Sequence, residues 1–360
     1  MKKICTIVGA RPQFIKAAVV SKEIRKYFHE VIIHTGQHYD ENMSKIFFDE
    51  LNIPKPKYNL NISGGTHAQM TGNMVISIEK ILLIEKPDLV LVYGDTNSTL
   101  SAAIAASKMM IPICHVEAGV RMNTLKNPEE INRVLTDHVS SILMCSTEQS
   151  VINLKKENIV SDVYLTGDPM YDAYVNNSKL SKLSIGSKIK CLNDEEIVIS
   201  ENFYYLTCHR QENTLNDINL TEIFKAMEEL NYDVIYPVHP RNRERAMRII
   251  DKFQFKNIKL INPVGYLDSL FFINNGNKII TDSGGVQREA FFAKKPCLTV
   301  LDDVCWPELM ISNYNQLAKP LKKDILEKLS VKVNFDTAYN PFGDGSASEK
   351  IVEILNSKFV

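Results

Sequence analysis

Short apolar and β-branched runs recur along the chain at helix-length intervals. Lys3 to Val8, Glu30 to His34, Asp88 to Tyr93, Ile111 to Glu117 and Ile142 to Ser146 each have the length and composition of a buried strand. One helix fits between each pair, so the alternation predicts right-handed βαβ units on a mainly parallel sheet. The pattern then restarts with Phe203 to Thr207, Val234 to Val238, Ile258 to Ile261, Lys278 to Thr281 and Pro296 to Val300. The expectation is an α/β protein of two doubly wound domains facing each other across a cleft. Between the two series, Thr166-Gly167-Asp168-Pro169-Met170 is turn-rich and reads as a hinge. A second hinge signal, Asn340-Pro341-Phe342-Gly343-Asp344-Gly345, precedes an amphipathic tail from Ser348 to Leu355. No internal repeat or low-complexity tract interrupts the pattern.

Composition narrows the function classes. At 360 residues the chain exceeds what one hydrophobic core usually organises, which agrees with two domains. With 42 basic against 43 acidic residues there is no polycationic face for a nucleic-acid backbone. Ile4 to Val8 is too short for the core of a signal peptide, and no apolar run approaches the roughly 20 residues needed to span a bilayer. The seven cysteines are odd in number and never spaced as CxxC, as expected for reduced thiols in a cytoplasmic protein.

Two distant segments look like halves of one nucleotide-diphosphate site. Gly9-Ala10-Arg11-Pro12-Gln13-Phe14-Ile15-Lys16 follows the first strand, and Asp282-Ser283-Gly284-Gly285-Val286-Gln287-Arg288-Glu289-Ala290 follows a late one. Each reads as strand, tight turn and helix start, where free N–H groups and the helix dipole attract phosphate. Arg11 and Lys16 would carry positive charge to one side of a diphosphate. Ser283, Gly284 and Gly285 would offer hydroxyl and amide donors on the other, and Glu289 would accept from a ribose diol. Tyr266 is a further substrate-binding candidate. Acidic residues fall where open α/β sheets bind ligands: Asp95 after Leu89 to Gly94, Glu117 after Ile113 to Val116, and Glu129-Glu130 in Pro128-Glu129-Glu130-Ile131-Asn132-Arg133. Structural alternatives stand beside these readings. Asp95 could cap the Thr96 helix, and Glu129 could pair with Arg133 one turn on. His209, at the end of a second-half strand, could touch phosphates or be a satisfied structural histidine; His239 is a weaker candidate. No metal-ligand spacing, Walker lysine loop or complete G-x-G-x-x-G occurs, so no metal or bound cofactor is expected.

These segments, together with His34-Thr35-Gly36-Gln37-His38-Tyr39, Tyr93 to Thr96, His115-Val116-Glu117-Ala118-Gly119, Cys208 to Asn213 and Asn340 to Gly345, resemble the non-hydrolysing UDP-N-acetylglucosamine 2-epimerases nearly end to end. The resemblance implies two Rossmann-like domains of the glycosyltransferase-B type. Residues 1–168 would form the first and 169–345 the UDP-binding second, with 346–360 a final helix packing back on the first. It implies Asp95, Glu117 and Glu129 as essential carboxylates, Arg11, Lys16, Arg133 and His209 as residues serving the substrate, and Ser283 and Glu289 as UDP ligands. It also implies a homodimer, and a reaction that supplies precursors of surface polysaccharide.

Chemistry gives the roles content. The sugar C2–H has no adjacent carbonyl, so it acidifies only as the C1–O bond to UDP loosens. A carboxylate then removes the proton to give a 2-acetamidoglucal and UDP, and re-addition with protonation from the opposite face inverts C2. The chain departs from the commoner family pattern at Ala10, Gln13, Met70, Arg288 and Val304-Cys305-Trp306-Pro307-Glu308. These changes resemble the branch acting on UDP-2,3-diacetamido-2,3-dideoxy-glucuronate, whose carboxylate Arg288 could receive unless it is a solvated helix charge. A second UDP-sugar site used by some members retains Gln37, His38 and Arg210, but Tyr39-Asp40-Glu41 replaces basic residues. A glycosyltransferase of the same architecture and a non-catalytic UDP-sugar sensor are the competing classes; the three carboxylates favour the epimerase.

Overall fold

The computed structural model describes residues 1–37 and 41–359. The chain divides into two compact units, Met1–Val175 with Asn340–Val360, and Asn176–Tyr339.

The first unit is built on β1 (Lys3–Val8), β2 (His29–His34), β3 (Tyr58–Asn59), β4 (Leu89–Tyr93), β5 (Ile113–Ala118), β6 (Ile142–Cys145) and β7 (Val163–Leu165). Their order is β3-β2-β1-β4-β5-β6-β7, and every neighbouring pair is parallel. A parallel pair needs a crossover, and the intervening helices cover the sheet, which is why the central strands are mostly apolar and buried. All five residues of β4 are buried. The helix Asn97–Lys108 packs on the helix His67–Glu85 through buried Ala102, Ala103, Ala105 and Ala106, small side chains that permit close approach. Thr66, Thr96, Asn127 and Thr147 each accept a backbone N–H in the first turn of the helix that follows; such caps contribute about 1 kcal/mol each.

The segment Thr166 to Met170, a hinge on sequence grounds, is braced within this unit. Asp168 N–H donates to Phe342 O at 2.9 Å. Gly167 has φ +88°, and a Cβ there would stand 2.9 Å from Phe342 O. Asp172 then caps the last helix, Ala347–Phe359, accepting from Ala347 N at 3.0 Å and from Ser348 N at 2.7 Å.

The second unit contains an antiparallel hairpin, β8 (Lys188–Lys190) and β9 (Glu196–Val198), and a parallel sheet of β10 (Tyr204–Thr207), β11 (Val234–Pro237), β12 (Ile258–Ile261), β13 (Lys278–Thr281), β14 (Cys297–Val300) and β15 (Asn315–Ala318). The sheet order is β12-β11-β10-β13-β14-β15. All ten strands expected from the apolar runs form, with ends moved by a residue or two. Those not foreseen are the hairpin and the edge strands β3, β7 and β15. An edge strand has one paired neighbour and needs no continuous apolar run, as Asn315-Gln316-Leu317-Ala318 illustrates. Among the described residues no helix is long and apolar enough to cross a membrane.

Candidate active site

In each unit the strand order reverses once, between β1 and β4 in the first and between β10 and β13 in the second. Loops on either side of such a reversal diverge and leave a crevice at the strands' carboxyl ends. The chemistry-bearing segments lie there: Gly9 to Lys16 after β1, Gly94 and Asp95 after β4, His209 after β10, and Asp282 to Gly285 after β13.

The turn after β1 differs from its sequence reading. Gly9 and Ala10 do not present free amides; both donate to Gln13 Oε1, at 2.8 and 3.0 Å. Gln13 Nε2 in turn donates to Tyr93 O at 2.8 Å and Thr99 Oγ1 at 2.9 Å. An amide suits this place, since it accepts on one side and donates on the other, whereas a carboxylate could only accept. Lys16 does not stand at the mouth of the turn. It is 2% exposed and ion-paired with Glu117. Arg11 heads the helix Arg11–Ile24, with its guanidinium 5.3 Å from the Phe47 ring centre.

Glu117 sits at a bulge. The β5–β6 register shifts between Val116 and Ala118, and Glu117 has φ +72°, a conformation a side chain accepts at a cost of about 1–3 kcal/mol. The Lys16–Glu117 pair lies against the Gly94 backbone: a Cβ on Gly94 would stand 3.5 Å from Lys16 Nζ and 3.6 Å from Glu117 Oε1. The next residue, Asp95, does not cap the following helix; Thr96 does, accepting from Thr99 N–H. The Asp95 carboxylate instead receives Arg133, which also reaches Glu130 Oε2 at 3.0 Å. Glu130 Oε1 accepts from Met122 N and Asn123 N at 2.8 and 3.0 Å, fixing the loop before the helix Pro128–Val139. Asn132 Nδ2 donates to Asp95 O at 2.8 Å. Glu129 occupies the first turn of that helix, half-buried, its N–H donating to Asn127 Oδ1 at 2.9 Å. Thus the partners seen for Arg133 are Asp95 and Glu130, where sequence spacing pointed to Glu129.

A buried charge cluster underlies these carboxylates. His115 Nδ1 meets Asp137 Oδ1 at 2.6 Å, and Asp137 Oδ2 accepts from Gly119 N at 3.0 Å and Arg121 Nη1 at 2.7 Å. Burial alone would raise the Asp137 carboxyl, but His115 and Arg121 outweigh it and hold the group below its ordinary range. Arg121 continues to Glu157 at 2.7 and 2.8 Å.

In the second unit Asp282 organises the edge. Its carboxylate accepts from His209 N at 3.0 Å, Arg210 N at 2.9 Å and Asn213 Nδ2 at 3.2 Å, and faces His209 Nδ1 at 3.0 Å. Burial opposes the charge, yet His209 and these donors bring the Asp282 pKa down to about 2. An ionised acceptor at Nδ1 places the ring hydrogen there and orients the half-exposed imidazole. Ser283 caps the helix Gly284–Phe292 by accepting from Val286 N–H. Beside Gly284 there is open space for a ligand's approach, and Gly285 follows in the same turn. Glu289 and Tyr266 are buried, at 3% and 2% exposure. Arg288 is not a solvated charge: it is buried, with its guanidinium 4.4 Å from the Trp306 ring centre. His239 caps the short 3-10 turn Pro240–Asn242, a structural role.

Of the second-site residues, Gln37 accepts from Ser98 N at 3.1 Å and Ser98 Oγ at 2.7 Å. His38, Tyr39 and Asp40 lie outside the described residues. Sequence reasoning gave no role to Gln13, His115, Asp137 or Asp282, and named Glu130 only beside Glu129 as an acidic site. Each acts through backbone groups or a distant side chain, and only the polarity of residues inside apolar segments could have flagged them.

Two doubly wound units, each with a parallel main sheet and polar residues clustered at the reversal of strand order, define an α/β architecture of the Rossmann type. Comparison with known proteins narrows this. The family model for UDP-N-acetylglucosamine 2-epimerase matches residues 22–356. The chain is 53% identical over 360 residues to a UDP-N-acetylglucosamine 2-epimerase homolog of Methanococcus maripaludis, covering 99% of each. It is 44% identical to the UDP-2,3-diacetamido-2,3-dideoxy-D-glucuronate 2-epimerase of Pseudomonas aeruginosa, covering 98% of this chain and 99% of that one. Among solved structures, the Methanocaldococcus jannaschii UDP-GlcNAc 2-epimerase in complex with UDP-GlcNAc and UDP aligns with a TM-score of 0.88 at 41% identity, covering 99% of each chain. The chain belongs to the UDP-N-acetylglucosamine 2-epimerase family, and its fold is the two-domain glycosyltransferase-B type.

Proposed function

We propose that the protein interconverts UDP-N-acetylglucosamine and UDP-N-acetylmannosamine without net hydrolysis and without an added cofactor. The observation that carries this reading is the pair of carboxylates at adjacent parallel strand ends, Asp95 after β4 and Glu117 in β5, each held by its own buried cation, Arg133 and Lys16. Two positioned carboxylates are what inversion at C2 requires, one to take the proton and one to return it on the opposite face. Glu129, in the first turn of the helix that carries Arg133, is the third member of the set. A glycosyltransferase would need one base and an acceptor groove, and a sensor would need no such pair.

Leaving-group stabilisation comes first. Arg11, His209 Nε2, Ser283 and the Gly284 and Gly285 amides are assigned to the diphosphate, where each preorganised donor contributes about 3 kcal/mol. Glu289 and Tyr266 are assigned to the nucleoside. As the C1–O bond breaks, its electron pair leaves with UDP and C1 gains oxocarbenium character. The C2–H electrons then form the C1–C2 double bond of the 2-acetamidoglucal, with the proton on a carboxylate. Re-addition of UDP with protonation from the other face completes inversion.

We place the enzyme in the cytoplasm, consistent with seven free cysteines, six of them buried, in the supply of surface-polysaccharide precursors. A homodimer is also proposed. Ile131, Leu135 and Val139 form an exposed i, i+4, i+8 stripe on the helix Pro128–Val139, and Ile76 and Leu83 are exposed on the helix His67–Glu85. Both helices flank an apolar groove of about 600 Å³, a surface suited to a second copy across a two-fold axis.

A second substrate, the diacetamido-glucuronate, is favoured by one observation: Arg288 is buried against Trp306 and not solvated. We retain UDP-N-acetylglucosamine because its reaction needs only the carboxylates and UDP-binding groups. Proton NMR of the purified protein with UDP-N-acetylglucosamine alone tests the proposal. The UDP-N-acetylmannosamine anomeric signal should appear, with the same final ratio reached from either epimer. A protein that binds UDP yet leaves both sugars unchanged contradicts it.

A further inference from the structure

His115 has no exposed surface, yet both ring nitrogens make short contacts that leave its own strand. Nε2 lies 2.7 Å from Gly94 O, just past the end of β4 and immediately before Asp95, and Nδ1 lies 2.6 Å from Asp137 Oδ1. A carbonyl oxygen can only accept, so Nε2 donates to Gly94 O while Nδ1 faces the Asp137 carboxylate, and the one ring bridges both.

The consequences fall on the backbone that carries Asp95 and Glu117. Asp137 grips β5 on both sides of the bulge: at His115, two residues before Glu117, and at Gly119 N, two residues after it at 3.0 Å. The positive φ of Glu117 is thereby held between two fixed points. The Gly94 peptide is held from both ends as well, its N–H donating to Val116 O at 2.9 Å and its carbonyl accepting from His115. His115 therefore adds a side-chain bridge to the backbone bond that joins the ends of β4 and β5. We propose that His115 is a positioning residue for the epimerisation, holding Asp95 and Glu117 at a fixed separation through the Gly94 carbonyl and the Asp137 clasp; this rests on the function proposed above. His115 itself touches no substrate.

Two substitutions separate the two contacts. His115→Asn places its amide near the Nδ1 position, keeping Asp137 and losing Gly94, whereas His115→Gln reaches the Nε2 position and keeps Gly94. Turnover of UDP-N-acetylglucosamine, KM, the UDP Kd by calorimetry and a melting curve are measured for both. His115→Asn should lose about tenfold to a hundredfold in kcat, the scale of a small misplacement of reacting groups, with KM and UDP Kd within about threefold of wild type. His115→Gln should recover most of that loss. The proposal is overturned if His115→Asn retains wild-type kcat, if His115→Gln falls as far as His115→Asn, if UDP affinity falls with kcat, or if either variant is unfolded at the assay temperature, which would make the role structural. Absence of turnover in the wild type would instead overturn the functional reading, and this inference with it.

Discussion

Asp282→Asn removes the negative charge around which the edge of the second unit is organised. The carboxylate is 1% exposed and accepts from two backbone amides and Asn213. Its pKa falls from 3.8 to about 2 on folding, and a difference of nearly two units corresponds to about 2 kcal/mol of stability. The folded-state pKa is the lower one, so this contribution is fully present above about pH 4 and is lost as pH falls through 2. An asparagine keeps the shape but turns one acceptor into a donor facing donors, which adds to the loss. The sole tryptophan, Trp306, lies in the same unit, so its fluorescence follows the unfolding of that unit in urea. With a typical slope of about 2 kcal/mol per molar urea, the midpoint should fall by roughly 1 M at pH 7. Between pH 4 and 2 the gap between wild type and variant should narrow. An unchanged midpoint at pH 7, or a gap that stays constant down to pH 2.5, would refute the assignment of this carboxylate as the stabilising centre.

Three further outcomes are expected. Asp95→Asn should abolish turnover while leaving the UDP Kd by calorimetry within about threefold, because its proposed task is proton transfer and not nucleotide binding; wild-type-like kcat would remove it from the mechanism. Gly119→Ala should destabilise the protein by several kcal/mol, because φ there is +79° and a Cβ would lie 2.3 Å from Ser150 O; an unchanged melting temperature would contradict that packing. If Arg288 receives a substrate carboxylate, wild type should prefer the diacetamido-glucuronate over UDP-N-acetylglucosamine by roughly tenfold or more in kcat/KM, a charge-assisted contact being worth about 1.5–3 kcal/mol, and Arg288→Glu should erase the preference. Equal kcat/KM values leave the N-acetylglucosamine assignment in place.

The doubly wound fold was legible because buried parallel strands are dominated by apolar and β-branched residues, and Lys3 to Val8, Leu89 to Tyr93 and Lys278 to Thr281 are so. The edge strand Asn315–Ala318 was hidden because its polar side chains are satisfied laterally, Asn315 by Thr299 Oγ1 at 2.9 Å and by Gln287 at 3.3 Å. Candidate residues at strand ends, such as Asp95, Glu117 and His209, could be picked out from position and residue type. Their partners could not. Nothing in the spacing links Lys16 to Glu117 or His209 to Asp282, because each pair forms only when a reversal of strand order brings distant loops to one edge. Local spacing also misdirected Arg133 toward Glu129, since the helix geometry allowed i, i+4 pairing while the fold offered Asp95 and the i, i+3 neighbour Glu130. Gln13 shows the same limit: two of its four contacts are to Tyr93 and Thr99, 80 and 86 residues away.

In the proposed reaction UDP departs and the C2 hydrogen exchanges within one reversible cycle. Incubating the protein with UDP-N-acetylglucosamine in deuterium oxide, then analysing the recovered sugars by proton NMR and mass spectrometry, tests this directly. UDP-N-acetylmannosamine should carry one deuterium at C2, with deuterium entering the UDP-N-acetylglucosamine pool as the reaction reverses, and neither sugar should be labelled by Asp95→Asn. Formation of the epimer with its original C2 hydrogen retained, or a protein that binds UDP but incorporates no deuterium, would contradict it.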